Sequence, residues 1–171
     1  VDGQRLTDEE IVSFMRLLLP AGAETTFRLI GSTLFALLHR PEAMAEVLAD
    51  RSLIGAAIEE TLRWETPVLM VGRQATRDVE LSGFTIPAGA AITPVIGSAN
   101  RDETHYPDPD RWDLHRGADD HLSFGGGRHF CLGYHLAKLE AKTAIERILD
   151  RLKNLRLEDG HPEDSIIGMA F

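Results

Sequence analysis

Cysteine is almost missing from these 171 residues, Cys131 being the only one. That excludes an internal disulfide and any Cys-rich zinc framework, and it fits a reducing, cytoplasmic setting. Positive charge is also in deficit: 18 Lys and Arg against 27 Asp and Glu leave a formal charge of −9, which argues against a nucleic-acid backbone or an anionic membrane as main partner. No long apolar run survives unbroken. The longest uncharged stretch, residues 81–100, is interrupted by Gly83, Pro87, Gly89, Pro94 and Gly97 and cannot form a spanning helix. Nothing at the start has the charged and apolar regions of a signal peptide. Internal repeats and low-complexity tracts are absent too. What remains, 43% hydrophobic and 26% charged, suits one globular domain or a large piece of one. The chain opens just ahead of a strong helix start and stops in the apolar residues 166–171, so an internal segment of a longer protein is expected.

Thr7-Asp8-Glu9-Glu10 is a capping-box pattern and predicts a helix start. Ile11, Phe14, Met15 and Leu18 follow at helical spacing, and apolar residues continue through Leu38 before His39-Arg40-Pro41 ends the run. A helix of about thirty residues, ~45 Å long, is expected, with apolar residues on several faces suggesting burial. Pro20 and Gly22 predict a kink or local widening near its middle. Pro41 fits the first position of a short second helix ending near Asp50. A third helix, about residues 53–64, carries Ile54, Ile58, Thr61 and Leu62 on one stripe. From residue 68 to 94 short β-type runs predict a small sheet, with a hairpin around Ser82-Gly83. Residues 100–120 are irregular and rich in Asp, Arg and Pro. Helical spacing returns after Cys131 through Leu132, Leu136 and Leu139. The fold class expected is therefore mainly α with a small β-sheet.

Phe124-Gly125-Gly126-Gly127-Arg128-His129-Phe130-Cys131-Leu132-Gly133 sets the single thiol between a glycine-rich loop and the expected first turn of a helix. Unpaired amides and the positive end of the dipole favour a thiolate there, and glycines let backbone approach a flat ligand closely. A thiolate suits a soft metal. Other readings stand beside this one. The residue could be a structural cysteine, although the Lys-Ser/Thr ending of a phosphate loop is absent. Zinc on His129, Cys131 and His135 has neither the usual spacing nor a fourth ligand.

The pattern Phe-Gly-x-Gly-x-His-x-Cys-x-Gly-x-x-Leu-Ala, filled by Phe124, Gly125, Gly127, His129, Cys131, Gly133, Leu136 and Ala137, closely resembles the haem-binding loop of soluble bacterial members of the cytochrome P450 family. The resemblance implies haem b as cofactor, with Cys131 as axial ligand to its iron, Phe124 packed near it and His129 facing a propionate. Arg73, in Val71-Gly72-Arg73, falls where the family places a second propionate contact; locally it reads equally as a strand-edge cation. Thiolate ligation favours O–O cleavage, the step a monooxygenase needs.

Two further segments carry the resemblance. Glu60 and Arg63 share a helix face, which alone could be a solvated surface pair. The family's Glu-x-x-Arg helix is joined by an arginine ahead of the haem loop, and Arg116 in Asp110-Arg111-Trp112-Asp113-Leu114-His115-Arg116 takes that position. The role implied is a buried ion network. Ala21-Gly22-Ala23-Glu24-Thr25-Thr26 matches the family's oxygen-activating signature, so Glu24 would pass protons and Thr25 would steady the reduced oxygen. Read without it, the threonines bond back to helix carbonyls and Glu24 faces solvent. Ala21, Gly22, Val68, Leu69 and Met70 would line the substrate side. His105, His115 and His161 read as surface or structural residues, and His121 as a support of the loop.

The resemblance covers nearly the whole chain. It implies the C-terminal, haem-bearing part of one longer domain, without its N-terminal helices, its substrate lid or the return of a final hairpin whose first arm would be residues 166–171. The expected activity is insertion of one oxygen atom from O₂ into a small apolar substrate, with electrons from a ferredoxin or flavodoxin type partner. A peroxide-driven haem-thiolate enzyme and a non-catalytic remnant that binds no haem are the alternatives. The segment by itself is expected to be inactive, since one wall of the pocket would be absent.

Overall fold

The computed structural model describes residue 3, residues 5–158 and the backbone of residues 169–170. Helix α1 spans Asp8–Leu38, 31 residues. Its start is the capping box the sequence predicts: the Thr7 hydroxyl accepts from the Glu10 amide at 3.2 Å, and the Thr7 amide donates to the Glu10 carboxylate at 2.8 Å. Asp8, Glu9 and Glu10 also place negative charge at the positive end of the dipole. The backbone stays α-helical through Pro20 and Gly22. The interruption expected there amounts to the hydrogen bond that Pro20 cannot donate, inside a continuous helix.

Burial divides α1 in two. Thr26, Leu29, Ser32, Thr33, Ala36 and Leu37 are buried and pack against α2 (Pro41–Ala49), α3 (Ile54–Trp64) and α5 (Tyr134–Arg151). Ile11, Phe14, Met15 and Leu18, expected inside, are exposed, and Phe27 is 76% exposed. The stripe is real, but no described element lies against the first half of the helix. Pro41 opens α2 as predicted, and Asp50 caps the 3₁₀ turn Arg51–Leu53 by accepting the Ser52 amide at 2.9 Å. The α3 stripe Ile54, Ile58, Thr61 and Leu62 is fully inside. Together with Val47, Trp112, Leu114, Ile145 and Leu149 it forms the core between the helices.

Among the described residues the small β part expected takes the form of three two-stranded ladders. Strands β3 (Val79–Leu81) and β4 (Phe84–Ile86) are the predicted hairpin, closed by Ser82 and Gly83 with φ of 50° and 83°, the pair of positive values that a tight hairpin turn requires. Strand β2 (Arg73–Gln74) pairs antiparallel with β5 (Ala91–Ile92). Strand β1 (Val68–Met70) pairs parallel with β6 (Met169–Ala170). An isolated antiparallel bridge from Met70 to Val95 links β1 to the chain just after β5. Of the expected hairpin arm 166–171 only the backbone of Met169 and Ala170 is described; the rest of it, and His161, lie outside the described residues.

A one-turn helix α4 (Ile96–Ala99) precedes the irregular segment. That segment is tied down from the end of α3: Trp64 Nε1 donates to the Asp110 carbonyl at 2.8 Å, and Arg101 Nε donates to the Trp64 carbonyl at 2.9 Å. Helix α5 opens at Tyr134, three residues after the cysteine, so Cys131 lies between the glycine loop and the helix as expected, while Leu132, counted in the helical spacing, lies ahead of it. Among the described residues no helix is long and apolar enough to cross a membrane.

Ile145 is wholly enclosed where α5 meets the other helices. Ile145→Ala in the full-length protein is expected to cost about 2–5 kcal/mol, read as a lower urea unfolding midpoint. An unchanged midpoint would contradict the core assignment.

Candidate functional site

The centre of the site is a backbone-built loop. Gly125 and Gly127 have φ of 70° and 61°, the left-handed region that a side chain would strain, and nothing lies within 4 Å of where a Cβ on Gly127 would stand. A 3₁₀ turn, Gly127–His129, then brings the chain back, and the Cys131 amide donates to the Phe124 carbonyl at 2.9 Å. On the other side the Tyr134 amide donates to the Cys131 carbonyl at 3.3 Å. The thiol is free and half-buried. A Cβ on Gly133 would stand 3.9 Å from Sγ, in ordinary contact with the sulfur. In front of the loop the surface is apolar: Phe130 is 50% and Leu132 86% exposed.

Behind the loop the residues are polar, charged and buried. Glu60 and Arg63 are 1% and 0% exposed. Arg63 uses all five of its N–H groups. Nε and Nη2 form a fork on the two Glu60 oxygens at 2.8 Å each. Nη1 donates to the Asn100 and Pro109 carbonyls at 3.0 and 2.7 Å, and Nη2 also donates to the Arg111 carbonyl at 3.1 Å. Glu60 Oε1 accepts in addition from Arg116 Nε at 3.0 Å and from the Asp113 amide at 2.9 Å. Arg116 spends its remaining donors on the carbonyls of Pro107, Asp108 and Arg111. The three residues that the sequence pairs at a distance meet in one network joining α3 to the irregular segment.

Sequence reasoning missed several members of this support. Tyr106 lies under the Arg63 guanidinium, 5.3 Å from ring centroid to Cζ, and donates to Asp120 at 2.8 Å. Burial and the Asp120 carboxylate push its hydroxyl well above the usual tyrosine value. Asn100 is fully buried, accepts the Leu122 amide at 2.8 Å and donates to Ser123 Oγ at 2.9 Å, tying the irregular segment to the start of the cysteine loop. Glu59, beside Glu60 in sequence, pairs with His121 and Lys138. Burial pushes its carboxyl up, but hydrogen bonds from His121 and Lys138, with the Lys138 charge, outweigh that and hold it below the ordinary value. Only the rarity of a buried Asn or Tyr could have signalled the first two; for Glu59, no local pattern does.

The remaining candidates lie elsewhere. Thr25 Oγ1 donates to the Ala21 carbonyl at 2.7 Å. Glu24 accepts from Arg28 Nη2 at 2.9 Å and Nε at 3.3 Å. Glu24 is exposed and Thr25 half-buried, and each is paired within its own helix. Gly22 has no atom within 4 Å of a would-be Cβ, leaving the Ala21-Gly22 surface open. Val68, Leu69 and Met70 are half-buried along β1. Arg73 on β2 is exposed and donates to the Gly72 carbonyl at 2.7 Å. His129 is exposed in the 3₁₀ turn. Among the described residues no group of three or more His, Cys, Asp or Glu converges as for a metal ion, so His129, Cys131 and His135 do not form a zinc site.

One soft thiol, a glycine cradle without side chains and an apolar rim fit a flat apolar ring carrying a single metal, which is the chemistry of haem. The sequence profile of the family "Cytochrome P450" matches residues 1–171. The chain belongs to that family. It is similar to a biotin biosynthesis cytochrome P450 of Bacillus subtilis, 43% identical over 155 residues, which covers 91% of this chain and 39% of that protein. It is also 43% identical over 158 residues to the cytochrome P450 monooxygenase PikC of Streptomyces venezuelae, covering 92% of this chain and 38% of that one. Among solved structures it superposes on cytochrome P450 CYP109Q5 of Chondromyces apiculatus with a TM-score of 0.86 at 49% identity, over 91% of this chain and 40% of that chain. The chain thus spans about two fifths of the length of the curated relatives it matches.

The buried network predicts a coupled loss of stability. In the full-length protein Glu60→Ala and Arg63→Ala should each cost about 3–5 kcal/mol by stranding the other charge, and the double variant should cost less than their sum in urea unfolding. Strict additivity would mean that the pair does not interact. Glu59 adds a pH signature. Its folded value is lowered, so its contribution is full above the unfolded value of about 4.3 and is lost as pH falls through the lower folded value. The stability gap between wild type and Glu59→Gln should therefore shrink on acidification below about pH 4; a gap constant with pH would refute it.

Proposed function

We propose that the chain is the haem-bearing part of a monooxygenase, with Cys131 as the axial ligand. The observation that carries this reading is the loop itself: a free thiol held by backbone bonds, with glycines in place of side chains and an exposed apolar rim in front. Haem bound there through the thiolate would supply activation of O₂ and transfer of one oxygen atom to an unactivated C–H or C=C bond. Phe124, Gly125, Gly127 and Gly133 shape the floor, and His129 and Arg73 are the groups available to its propionates. Val68, Leu69 and Met70, with Ala21 and Gly22, offer an apolar wall for a small apolar substrate.

The proton-handling part is assigned to α1. Thr25 Oγ1 holds one proton, now given to the Ala21 carbonyl, and Glu24 holds a carboxylate now paired with Arg28. Turned from those partners, they would position water and pass protons to reduced oxygen. Electrons would come from a ferredoxin or flavodoxin type protein docking near the Cys131 side, in the cytoplasm. The relatives support the class: one is named as a monooxygenase. Another is named for biotin biosynthesis, and a cytochrome P450 called BioI is recorded in complex with a lipid-loaded acyl carrier protein.

The full-length protein tests this reading. The reduced carbon monoxide complex should show a strongly red-shifted Soret band that Cys131→Ser abolishes, and an unchanged band would end the thiolate reading. Thr25→Ala should keep the band yet lower product turnover by on the order of 10²-fold while donor electrons continue to be consumed. Peroxide-driven turnover untouched by Thr25→Ala and independent of a donor would favour the peroxide enzyme instead.

A further inference from the structure

A second buried charge cluster lies between α3, the entry to the cysteine loop and α5. His121 Nδ1 accepts the Ser123 amide at 3.2 Å, and since an amide can only donate, the ring proton must sit on Nε2. Nε2 then donates to Glu59 Oε2 at 3.0 Å. The other Glu59 oxygen pairs with Lys138 Nζ, which also donates to the Tyr134 hydroxyl at 3.1 Å and stands 4.8 Å from that ring's centroid. The side chain of His121 is only 2% exposed and that of Glu59 17%, so the relay starts inside and reaches the half-exposed Lys138.

The relay ends on the two residues that hold Cys131. Tyr134, fixed at its hydroxyl by Lys138, gives its amide to the Cys131 carbonyl. Phe124, whose carbonyl takes the Cys131 amide, packs edge-on to the Tyr134 ring at 4.7 Å and against the His121 ring at 5.8 Å. Both backbone polar groups of the cysteine thus bond to the backbones of Phe124 and Tyr134, whose rings pack together, the first also on His121 and the second held at its hydroxyl by Lys138. Glu60, one residue on, faces the irregular segment, whereas Glu59 faces the loop. Neighbouring carboxylates on α3 therefore serve two separate attachments.

We propose that His121, acting through Glu59 and Lys138, is a positioning residue that fixes the Cys131 backbone between Phe124 and Tyr134, where its sulfur would be held for the metal. This rests on the reading of Cys131 as haem ligand and extends it to a group that touches neither haem nor substrate. Supporting hydrogen bonds of this kind tune metal ligands, and their loss commonly changes metal retention 10–100-fold.

Two isosteric variants in the full-length protein separate positioning from bulk stability. His121→Gln carries an amide donor near the Nε2 position and should retain wild-type behaviour. His121→Asn keeps an acceptor near Nδ1 but falls short of Glu59. It should lose the red-shifted band of the reduced carbon monoxide complex about tenfold faster. In the haem-free full-length chain the Cys131 amide of the Asn variant should exchange hydrogen faster by a similar factor. Identical behaviour of the two variants, or faster decay that only tracks a lower unfolding midpoint, would overturn the proposal. If the wild-type protein lacks the red-shifted band, the thiolate reading fails on its own, and exchange at the Cys131 amide still decides whether His121 positions that residue.

Discussion

The structure depends on the desolvation of one guanidinium. Arg63 has no exposed surface, and even after relaxation burying such an ion costs several kcal/mol unless its donors are all matched. Five acceptors match them, two from Glu60 and three from the carbonyls of Asn100, Pro109 and Arg111. Those carbonyls belong to a stretch with almost no regular structure of its own. Its path is set by the need to bring three oxygens to one planar fork, so a segment that would otherwise sample many conformations has a single route around α3. Removing either partner leaves an uncompensated buried charge, which is why the network acts as a specificity device more than as a simple source of stability.

From that anchor the constraint passes to the cysteine. Asn100, whose carbonyl serves Arg63, uses its side chain on the Leu122 amide and the Ser123 hydroxyl, and Ser123 Oγ in turn donates to the Leu62 carbonyl at 2.6 Å. Beyond Phe124 the side chains that support the loop are rings: Phe130 packs against Phe124 and Tyr134. The glycines leave the loop to be held by its own backbone, between a donor at Cys131 and an acceptor at Phe124. Charged support behind and glycine backbone with an apolar rim in front would suit the proposed presentation of sulfur to a flat partner.

What was legible in the sequence was whatever has a local period or a fixed local chemistry. The Thr7 capping box, Pro41 at its helix start, the Ile54-Ile58-Thr61-Leu62 stripe and the hairpin at Ser82-Gly83 are all of this kind. Glu60, Arg63 and Arg116 were named, yet no spacing rule could foresee their convergence, since Arg116 meets Glu60 across 56 residues. Two expectations failed for physical reasons. The spacing of Leu132, Leu136 and Leu139 continues a helical period past the true boundary, because periodicity does not register the turn at Gly133 that precedes the helix. Likewise the apolar stripe of α1 predicts burial but not what would lie against it, and among the described residues nothing covers Ile11, Phe14 or Leu18. Glu59 illustrates a different limit: adjacent carboxylates look like one acidic patch in sequence, and only the helix separates their directions.

The contrast between the two halves of the site bears on how the proposed chemistry would work. The groups behind Cys131 are saturated and buried, so moving them would expose or strand charge at a cost of several kcal/mol. Glu24 and Thr25 are held far more weakly. An exposed i, i+4 pair such as Glu24–Arg28 contributes about 0–1 kcal/mol, and a hydroxyl bond back to a helix carbonyl contributes about 1 kcal/mol net. Releasing both costs on the order of 1–2 kcal/mol, so states with the hydroxyl and carboxyl turned outward are populated at the level of several per cent without any backbone change. A hydroxyl proton can serve only one acceptor at a time, so Thr25 must give up Ala21 to act elsewhere. Soft attachments at the proposed proton carriers and hard attachments at the proposed ligand would suit such a reaction, in which the sulfur stays fixed while protons move.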